Sequence, residues 1–448
     1  MTFPIVMLAV LFVLLLMSVP VGIACALVGF VSLAVTAGDL QAIFALGSAP
    51  YTVLASSELA VLPVFILMGY FITHSGAVTA FFDVAKRRLR RVPGVIGLST
   101  LGAGGIFAGA SGTSVADVLV LTPAALPELR RTGYRDSLAS GLIANVGCLA
   151  ALIPPSFPFV IYGLSTETRL DQLLLSGLGP AALMFVGFAL IVLLNGPERV
   201  RRRPPPPVAP VAATEQFEGV GAARAVRDTV FSDVRRIAPL AVMVLAFPVG
   251  LYSGLVTVEE TATVIAAVAL LYMVLMARES RVRKAASSFT AAVRTFSTVA
   301  IVIAGTAMLS TFMTSVRLPQ ELAQSIADSG WNRYLVLAAI LVLYLVLGTV
   351  VDALAILLIT LPLTFPTVLA LGFDPIWFGA ICVLMIEIAV VMPPHGMNLM
   401  ALKARAPDVA WRDLYLGVWK FVAVDVVVIV LIIMFPQIVL FIPQQFAG

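Results

Sequence analysis

Histidine, cysteine and charged residues are all scarce in this sequence. The 448 residues include two histidines, far apart, and three cysteines, all within apolar segments. This usage argues against a haem or zinc centre and against a disulfide framework. Charged residues make up 12% of the chain and hydrophobic residues 60%. Because a soluble core cannot use that much apolar surface, the composition predicts a polytopic membrane protein.

The sequence also lacks the signatures of a nucleotide-dependent enzyme. The glycine-rich run Gly102–Gly105 has no Lys-Ser/Thr ending and no βα context, so it is not a phosphate-binding loop. We find no nucleophile–base set and no Cys/His metal spacing, and therefore expect no enzyme activity, no cofactor and no use of ATP by this chain. The net charge of +4 comes from short basic clusters between apolar segments, which indicate membrane topology and not nucleic-acid binding.

Two stretches of the chain repeat each other. Gly109–Pro127 and Gly348–Pro366 are apolar runs interrupted by glycine, hydroxyl residues and an aspartate, and adding 239 to the first numbers gives the second. Further positions that match at this offset are Gly133 with Gly372 and Pro154-Pro155 with Pro393-Pro394. A matched Pro-Pro pair is hard to obtain by chance. We interpret the pattern as two copies of one unit, each a polar-tipped stretch followed by a helix broken at Pro-Pro.

Each copy predicts a re-entrant hairpin. Val92–Leu129 is flanked by basic clusters at both ends, so both ends are cytoplasmic. Two full crossings would need about 40 apolar residues, whereas the centre of this stretch is rich in glycine, serine and threonine. The second copy, Tyr334–Leu371, has external flanks by chain tracing. The two repeats therefore have opposite orientations in the membrane.

The whole chain is predicted to be all-α, with ten crossings, two hairpins and both termini external. The predicted units are N-terminal scaffold helices in 1–59, a first repeat in 60–196, a cytoplasmic Pro/Ala-rich linker in 197–236, scaffold helices in 237–293 and a second repeat in 294–448. The hairpins fall at about 93–129 and 334–371, and the broken helices at 136–165 and 375–402. Paired broken helices in inverted repeats are typical of secondary transporters.

The hairpin tips and the Pro-Pro breaks offer oxygen ligands. Ser111–Ser114 combines a free-turning glycine with three hydroxyls that suit a hard cation. Each Pro-Pro pair removes backbone donors, so the carbonyls near Ala150–Ile153 and Ala389–Met392 are expected to lose their partners. The alternative is a small-residue packing patch with plain kinks. The tip alone leaves both interpretations open, and the second copy favours the site.

Carboxylates within apolar runs are functional candidates, because they are expensive inside a membrane. Asp117, Asp352 and Glu387 are of this kind. Asp352, close to the second tip, is the preferred anionic contributor to a cation site. Asp117 and Glu387 are equally compatible with a structural role.

Polar side chains near the breaks are further candidates. Asn145 and Asn398 could each bind a ligand or hold a neighbouring helix. His395 follows the second Pro-Pro pair and could titrate, although a neutral packing role is the favoured interpretation.

Both repeats resemble the large membrane subunit of tripartite ATP-independent periplasmic (TRAP) transporters. The matching residues are Ala108–Ala116, Pro123, Pro127-Glu128, Gly133-Tyr134, Ile153–Ser156, Tyr162-Gly163, Gly372–Pro375, Glu387, Pro393-Pro394, Gly396, Asn398-Leu399 and Phe435–Gln437. The resemblance implies an elevator-type importer in the bacterial inner membrane that uses a sodium gradient. It also implies a separate four-helix membrane subunit and a soluble periplasmic binding protein as partners. The implied substrates are C4-dicarboxylates, keto acids, and sialic or sugar acids.

The resemblance further implies two sodium sites with the substrate between them. The first cation set is Ser111, Gly112, Thr113, Ser114, Pro154 and Ser156. The second cation set is Gly348, Thr349, Asp352, Pro393, His395 and Gly396. The substrate set is Ser111, Asn145, Ser156, Thr349 and Asn398. His395 departs from the family, which has a small or aliphatic residue there. The alternative within transport is a stand-alone dicarboxylate or anion transporter of similar elevator architecture, without a binding protein.

Overall fold

The computed structural model describes residues 2–56, 58–75, 84, 94–111, 114–196, 242, 246, 249–250, 256–276, 281–328, 330–348, 351–394 and 396–445. The predicted linker therefore lies outside the described residues, as does the basic cluster at 86–91. Four predicted site residues also lie outside them. These are Gly112, Thr113, Thr349 and His395.

The described part of the chain is helical and contains no strand. The α-helices are α1 (Thr2–Leu16), α2 (Val21–Ala37), α3 (Asp39–Leu54), α4 (Val61–Ser75), α5 (Val95–Ser111), α6 (Ser114–Arg131), α7 (Asp136–Ala150), α8 (Phe157–Thr166), α9 (Leu170–Ser176), α10 (Leu178–Leu194), α11 (Val258–Met276), α12 (Arg281–Ser315), α13 (Leu318–Asp328), α14 (Arg333–Gly348), α15 (Ala353–Ala370), α16 (Pro375–Val391), α17 (Met397–Arg405), α18 (Trp411–Met434) and α19 (Gln437–Gln445). A short 3-10 turn, Glu58–Ala60, precedes α4.

The helix bounds follow the 239-residue offset seen in the sequence. Helices α6 and α15 correspond at both ends, α7 and α16 begin at corresponding residues, and α8 and α17 end at corresponding residues. The turns between them also agree, since Gly133 and Gly372 have positive φ angles of 92° and 76°. Both peptide bonds Pro154-Pro155 and Pro393-Pro394 are cis. The structure thus confirms that the chain contains two copies of one unit.

The two copies pack against each other through equivalent surfaces, as if related by a twofold axis. Helix α6 packs against α17, and the counterpart of α6, α15, packs against the counterpart of α17, α8. Such reciprocal contact is what a twofold axis between equivalent surfaces produces. Near this axis the thiol of Cys148 donates to the backbone carbonyl of Glu387 at 3.5 Å, and these residues are themselves 239 positions apart. Residues of both repeats therefore contact each other where α7 packs against α16.

Several helices have the length and composition of membrane spans. Among the described residues, five helical stretches are long and apolar enough to cross a membrane. They are Leu170–Leu194, Val258–Met276, Arg281–Ser315, Ala353–Ala370 and Trp411–Met434. Large apolar side chains on the outer surface, such as Leu194 at 82% exposure, suit contact with lipid. The chain is a multi-pass membrane protein.

Three elements differ from the expectation drawn from the sequence, which treats 38–59 as a segment between crossings and places single crossings at 296–315 and 415–440. The segment read as a connection after the second crossing is the helix α3, which packs on α2 and α12 and exposes Leu40 and Phe44. This helix was not predicted because it contains Gly47 and Pro50, which in a sequence are typical of a turn or loop. Helix α12 begins at Arg281, earlier than the crossing predicted at 296–315. The final crossing, predicted as one unit at 415–440, divides into α18 and α19 before Pro436, which cannot continue α18.

A cluster of ion pairs connects the two repeats at the end of α6. Arg130, at the end of α6, donates from Nε and Nη2 to the two carboxylate oxygens of Asp136 at 2.7 and 2.9 Å. Its Nη1 lies 2.7 Å from the Asp408 carboxylate, in the segment after α17. The Arg130 side chain is only 13% exposed. A single guanidinium therefore joins the first repeat to the second.

Replacing Arg130 with methionine should lower the free energy of unfolding by about 1–2 kcal/mol, because two half-buried carboxylates lose their charged partner. The matched control is Arg169→Met. Its ion pair with Asp171 joins side chains that are 60% and 36% exposed, so a change below about 0.5 kcal/mol is expected. Thermal unfolding in detergent measures both. Equal shifts in the two variants would show that the Arg130 cluster contributes no more than an exposed pair.

Candidate cation and substrate site

The first tip lies between two helices that pack against each other. Helix α5 ends at Ser111 and α6 begins at Ser114. Ser114 is 5% exposed, and its side chain interacts with the carboxylate of Glu387. As the first residue of α6, Ser114 lies at the positive end of that helix dipole. The tip therefore combines oxygen ligands with an electrostatic environment that favours an anionic group.

Helices α7 and α17 close around this tip. Gly147 of α7 faces it so closely that a Cβ there would lie 2.7 Å from the Ser114 carbonyl oxygen and 3.3 Å from Asn398 Nδ2. The Asn398 amide donates to the carbonyl of Ala144 at 3.0 Å. A residue of the second repeat thus contacts the first repeat beside the predicted first cation set.

Buried oxygens without hydrogen-bond partners occur on the helices that form this junction. Asn145 donates through Nδ2 to Gly141 O at 2.8 Å, but its Oδ1 has no hydrogen-bond partner among the described residues. The same holds for Asn398 Oδ1 and for Glu387 Oε2. Leaving such an oxygen buried and unpaired costs about 1–3 kcal/mol. A hard cation or a donor group of a substrate would remove that penalty, so the donor set fits sodium.

The polar backbone groups at the first Pro-Pro break form hydrogen bonds with residues of the break itself. Helix α7 ends at Ala150 and α8 begins at Phe157. The fully buried Ser156 hydroxyl donates to the carbonyl of Ala151 and accepts from the Phe159 backbone N–H at 3.5 Å. The expectation that these carbonyls lose their partners is wrong for Ala151, because Ser156 caps α8 and donates back. Ser156 retains a lone pair for a ligand, and Pro154 beside it is buried.

The second tip contains a helix cap. Helix α14 ends at Gly348 and α15 begins at Ala353. Asp352 Oδ1 accepts from the backbone N–H groups of Leu354 and Ala355 at 3.0 and 3.3 Å. Asp352 therefore has a structural role as N-cap. If Asp352 also binds a cation, as predicted, the ligand atom would be Oδ2, which makes neither capping bond.

The second tip also packs tightly against α16. A Cβ on Gly348 would lie 2.1 Å from the Cβ of Ala389. At the second break the Ala389 carbonyl accepts from the N–H of Met392 at 3.3 Å, and the Met392 carbonyl accepts from Gly396 N at 3.1 Å. The expected loss of partners is wrong for these two carbonyls as well. Pro393 and Gly396 lie in this turn between α16 and α17.

The structure thus brings together only part of the predicted site. Ser114 and Asn398 lie at one junction between the repeats, and Asp352 and Gly348 lie at the second tip. Asn145 lies on a different face of α7, the face on which Gly141 contacts α18. The sequence reasoning missed Gly147, which has no distinguishing neighbour in the sequence. It also missed Asp425, a carboxylate within the apolar run 421–431 that meets the same criterion as Asp117.

Two interlocked repeats, each with a polar tip and a broken helix, define a membrane transporter. The chain belongs to the family described as "Tripartite ATP-independent periplasmic transporter, DctM component", which it matches over residues 8–438.

Individual relatives agree with this assignment. The chain is 28% identical over 354 residues to the "C4-dicarboxylate TRAP transporter large permease protein DctM" of Pseudomonas aeruginosa, covering 79% of this chain and 77% of the relative. It is 29% identical over 386 residues to the "Sialic acid TRAP transporter large permease protein SiaM" of Vibrio cholerae, covering 86% of each. The solved Alcanivorax borkumensis YdaH transporter is similar with a TM-score of 0.57 over 91% of each chain, and its 15% identity shows a likeness of fold alone.

Proposed function

We propose that this chain is the membrane permease subunit of a sodium-coupled, binding-protein-dependent importer of small carboxylates. The observation that carries the proposal is the junction beside Ser114, where α17 of the second repeat contacts α7 of the first and the amide oxygen of Asn398 is buried without a partner among the described residues. Neutral oxygens from both repeats can bind a cation without adding charge, and any rearrangement of the repeats would change that site. The substrates named for the two relatives, C4-dicarboxylate and sialic acid, are both carboxylates.

In this proposal the first and second cation sets bind sodium, and the substrate set holds the carboxylate between the tips. Four members lie outside the described residues and remain part of these sets as predictions. They are Gly112, Thr113, Thr349 and His395. Sodium would supply positive charge beside the substrate carboxylate, while the hydroxyl and amide groups orient it. The hairpins and broken helices would move as an elevator against the scaffold helices. The chain itself catalyses no reaction and uses no other cofactor.

The proposed assembly has two partners. The name "large permease protein" of both relatives implies a smaller permease subunit, which we propose is a separate four-helix membrane protein. The second partner is a soluble periplasmic binding protein, which delivers the substrate to the outer face. This places the chain in the bacterial inner membrane, and we propose that both termini are periplasmic.

Reconstitution in proteoliposomes tests the proposal. The vesicles would contain this chain and the small subunit, with the binding protein added outside and a panel of labelled carboxylates. Uptake that needs both an inward sodium gradient and the binding protein is expected, and a potassium gradient of equal size is the control. Uptake without the binding protein would instead identify a stand-alone transporter. Uptake that is indifferent to the sodium gradient would contradict sodium coupling.

A further inference from the structure

One face of α14 is apolar and exposed along most of the helix. Its exposed positions recur at intervals of three and four residues, the spacing of a single helix face. These positions are Leu335, Ala338, Ala339, Val342, Leu343 and Val346. Leu335 is 58% exposed and Leu343 42%. In a membrane, an apolar face of this kind contacts the acyl chains of lipids.

An arginine held by aromatic rings lies at the N-terminal end of this face. The guanidinium carbon of Arg333 is 4.9 Å from the centroid of the Tyr334 ring and 5.3 Å from that of the Phe373 ring. Its Nη2 also donates to the Tyr334 hydroxyl at 3.1 Å. Phe373 is itself stacked on Trp377, with 5.1 Å between the ring centroids. These contacts fix the orientation of the guanidinium at the start of α14.

The charge of Arg333 is not neutralised by a carboxylate among the described residues. The acid next to Phe373, Asp374, accepts through Oδ1 from the backbone N–H groups of Ile376 and Trp377 and so caps α16. A guanidinium has five N–H donors in a planar arrangement that matches a phosphate group. Arginine and aromatic residues at the end of an apolar, exposed face are typical of the membrane–water boundary, where lipid phosphates lie.

An apolar cavity opens beside the other end of the exposed face. It has a volume of about 200 Å³ and lies between α1, α14 and α15. Leu343 of the exposed face also lines the cavity, opposite Leu8 and Leu11 of α1. The lining hydroxyls of Thr360 and Thr364 donate to carbonyls of their own helix at 2.7 and 3.0 Å. The cavity therefore offers water no unpaired hydroxyl donor, and it suits an apolar group, as a cavity of about 150 Å³ lined by Leu, Ile and Phe binds benzene.

One ligand can reach both the arginine and the cavity. At a rise of 1.5 Å per residue, Leu343 lies about 15 Å from Arg333 along the axis of α14. The hydrocarbon core of a bilayer is about 30 Å thick, so the acyl chains of one leaflet span about 15 Å. A lipid with its phosphate at Arg333 can therefore place the end of an acyl chain at Leu343.

We propose that α1, α14 and α15 form a phospholipid-binding site, with the lipid phosphate on Arg333 and one acyl chain along α14 in the cavity. Val351, in the segment between α14 and α15, also lines the cavity. The bound acyl chain thus contacts the second tip from the side of the bilayer. The site shares no residue with the cation and substrate sets and does not depend on sodium coupling.

Photolabelling of the purified full-length chain in dodecyl maltoside, a detergent without phosphate, tests this proposal. The probe is a phosphatidylglycerol with a diazirine near the end of one acyl chain, and mass spectrometry measures the label on the α1 peptide. Arg333→Gln should lower this labelling at least about threefold, because the charge-assisted hydrogen bonds to phosphate are lost. Leu343→Trp should lower it by a similar factor, because the indole occupies the mouth of the cavity.

Each variant has a matched control. Arg317→Gln replaces another exposed arginine, in the segment between α12 and α13. Val342→Trp places the same indole on the exposed face of α14 at a residue that does not line the cavity. Both controls should be labelled like the wild type. Unchanged labelling in Arg333→Gln or in Leu343→Trp would overturn the proposal.

Two comparisons in the wild type need no variant. A diacylglycerol with the same diazirine chain lacks the phosphate and should label α1 at least about threefold less than the phosphatidylglycerol. Equal labelling by the two probes would show that the phosphate is not recognised and would overturn the proposal. Excess inorganic phosphate should leave the labelling unchanged. Displacement of the probe by inorganic phosphate would overturn the lipid assignment in favour of a site for free phosphate.

Discussion

Replacing Gly141 with valine should abolish the accumulation of folded protein. Helices α7 and α18 cross at this residue, and a Cβ there would lie 2.3 Å from the carbonyl oxygen of Gly417. A Cβ on Gly417 would in turn lie 1.9 Å from the Ser137 carbonyl oxygen. Both obstacles are backbone atoms of another helix, so no side-chain rotation can relieve them. The helices would have to separate, at a cost of about 3 kcal/mol or more.

The control for this prediction is Gly47→Val. Gly47 lies in α3 and has no atom within 4 Å of the added Cβ. Valine and glycine differ by only a few tenths of a kcal/mol in helix propensity, so this variant should accumulate like the wild type. Size-exclusion chromatography of membrane extracts measures both. A monodisperse Gly141→Val peak at wild-type level would show that the two helices are not in the close contact described.

Replacing Asn398 with leucine should reduce sodium-driven uptake about tenfold or more, equivalent to about 1.4 kcal/mol. The variant loses the 3.0 Å hydrogen bond to Ala144 and the unpartnered amide oxygen beside Ser114. Because that oxygen is buried and neutral, its loss should raise the sodium concentration needed for half-maximal uptake. Initial uptake rates in proteoliposomes across a sodium series measure this.

Two further variants separate a ligand from a helix-holding residue. Asn398→Asp keeps side-chain oxygens but loses the amide donor to Ala144. Near-normal sodium activation in this variant would identify Asn398 as a ligand, whereas a loss equal to that of Asn398→Leu would indicate that it only holds α7. Asn195→Leu is the matched control, because Asn195 is exposed, and its uptake should stay within about twofold of the wild type, below about 0.5 kcal/mol. Equal uptake by Asn398→Leu and wild type would contradict the site.

The repeat was predictable from the sequence because both copies have glycine and Pro-Pro residues at corresponding turns and helix breaks. Gly133 and Gly372 need positive φ angles, and the Pro-Pro pairs interrupt helices, so the same residue types recur at a fixed offset. The register of α6 against α15 followed from these markers alone. Helix α3 was not predictable in this way, since its apolar residues are arranged for outward contact and its Pro50 is typical of a connection.

The site was less predictable than the fold, because the spacing of residues along the sequence does not show which side chains form hydrogen bonds between helices. Ser156 and Asp352 have the residue types of cation ligands, yet both cap helices in the structure. The junction between Ser114 and Asn398 depends on α17 reaching α7, a contact between residues 254 positions apart. Only the three-dimensional arrangement shows which polar groups remain without partners.

The sodium dependence of uptake in Ser111→Ala and Asp352→Ala tests the central claim most directly, because each variant removes one oxygen-bearing side chain from one tip. Ser48→Ala, at a half-exposed position of α3 where the hydroxyl donates only to the carbonyl of Phe44 in its own helix, is the control. The account predicts that both tip variants accumulate normally and have lower sodium-dependent uptake than the wild type and the control. Unchanged sodium activation in both would contradict the assignment of the tips as cation sites.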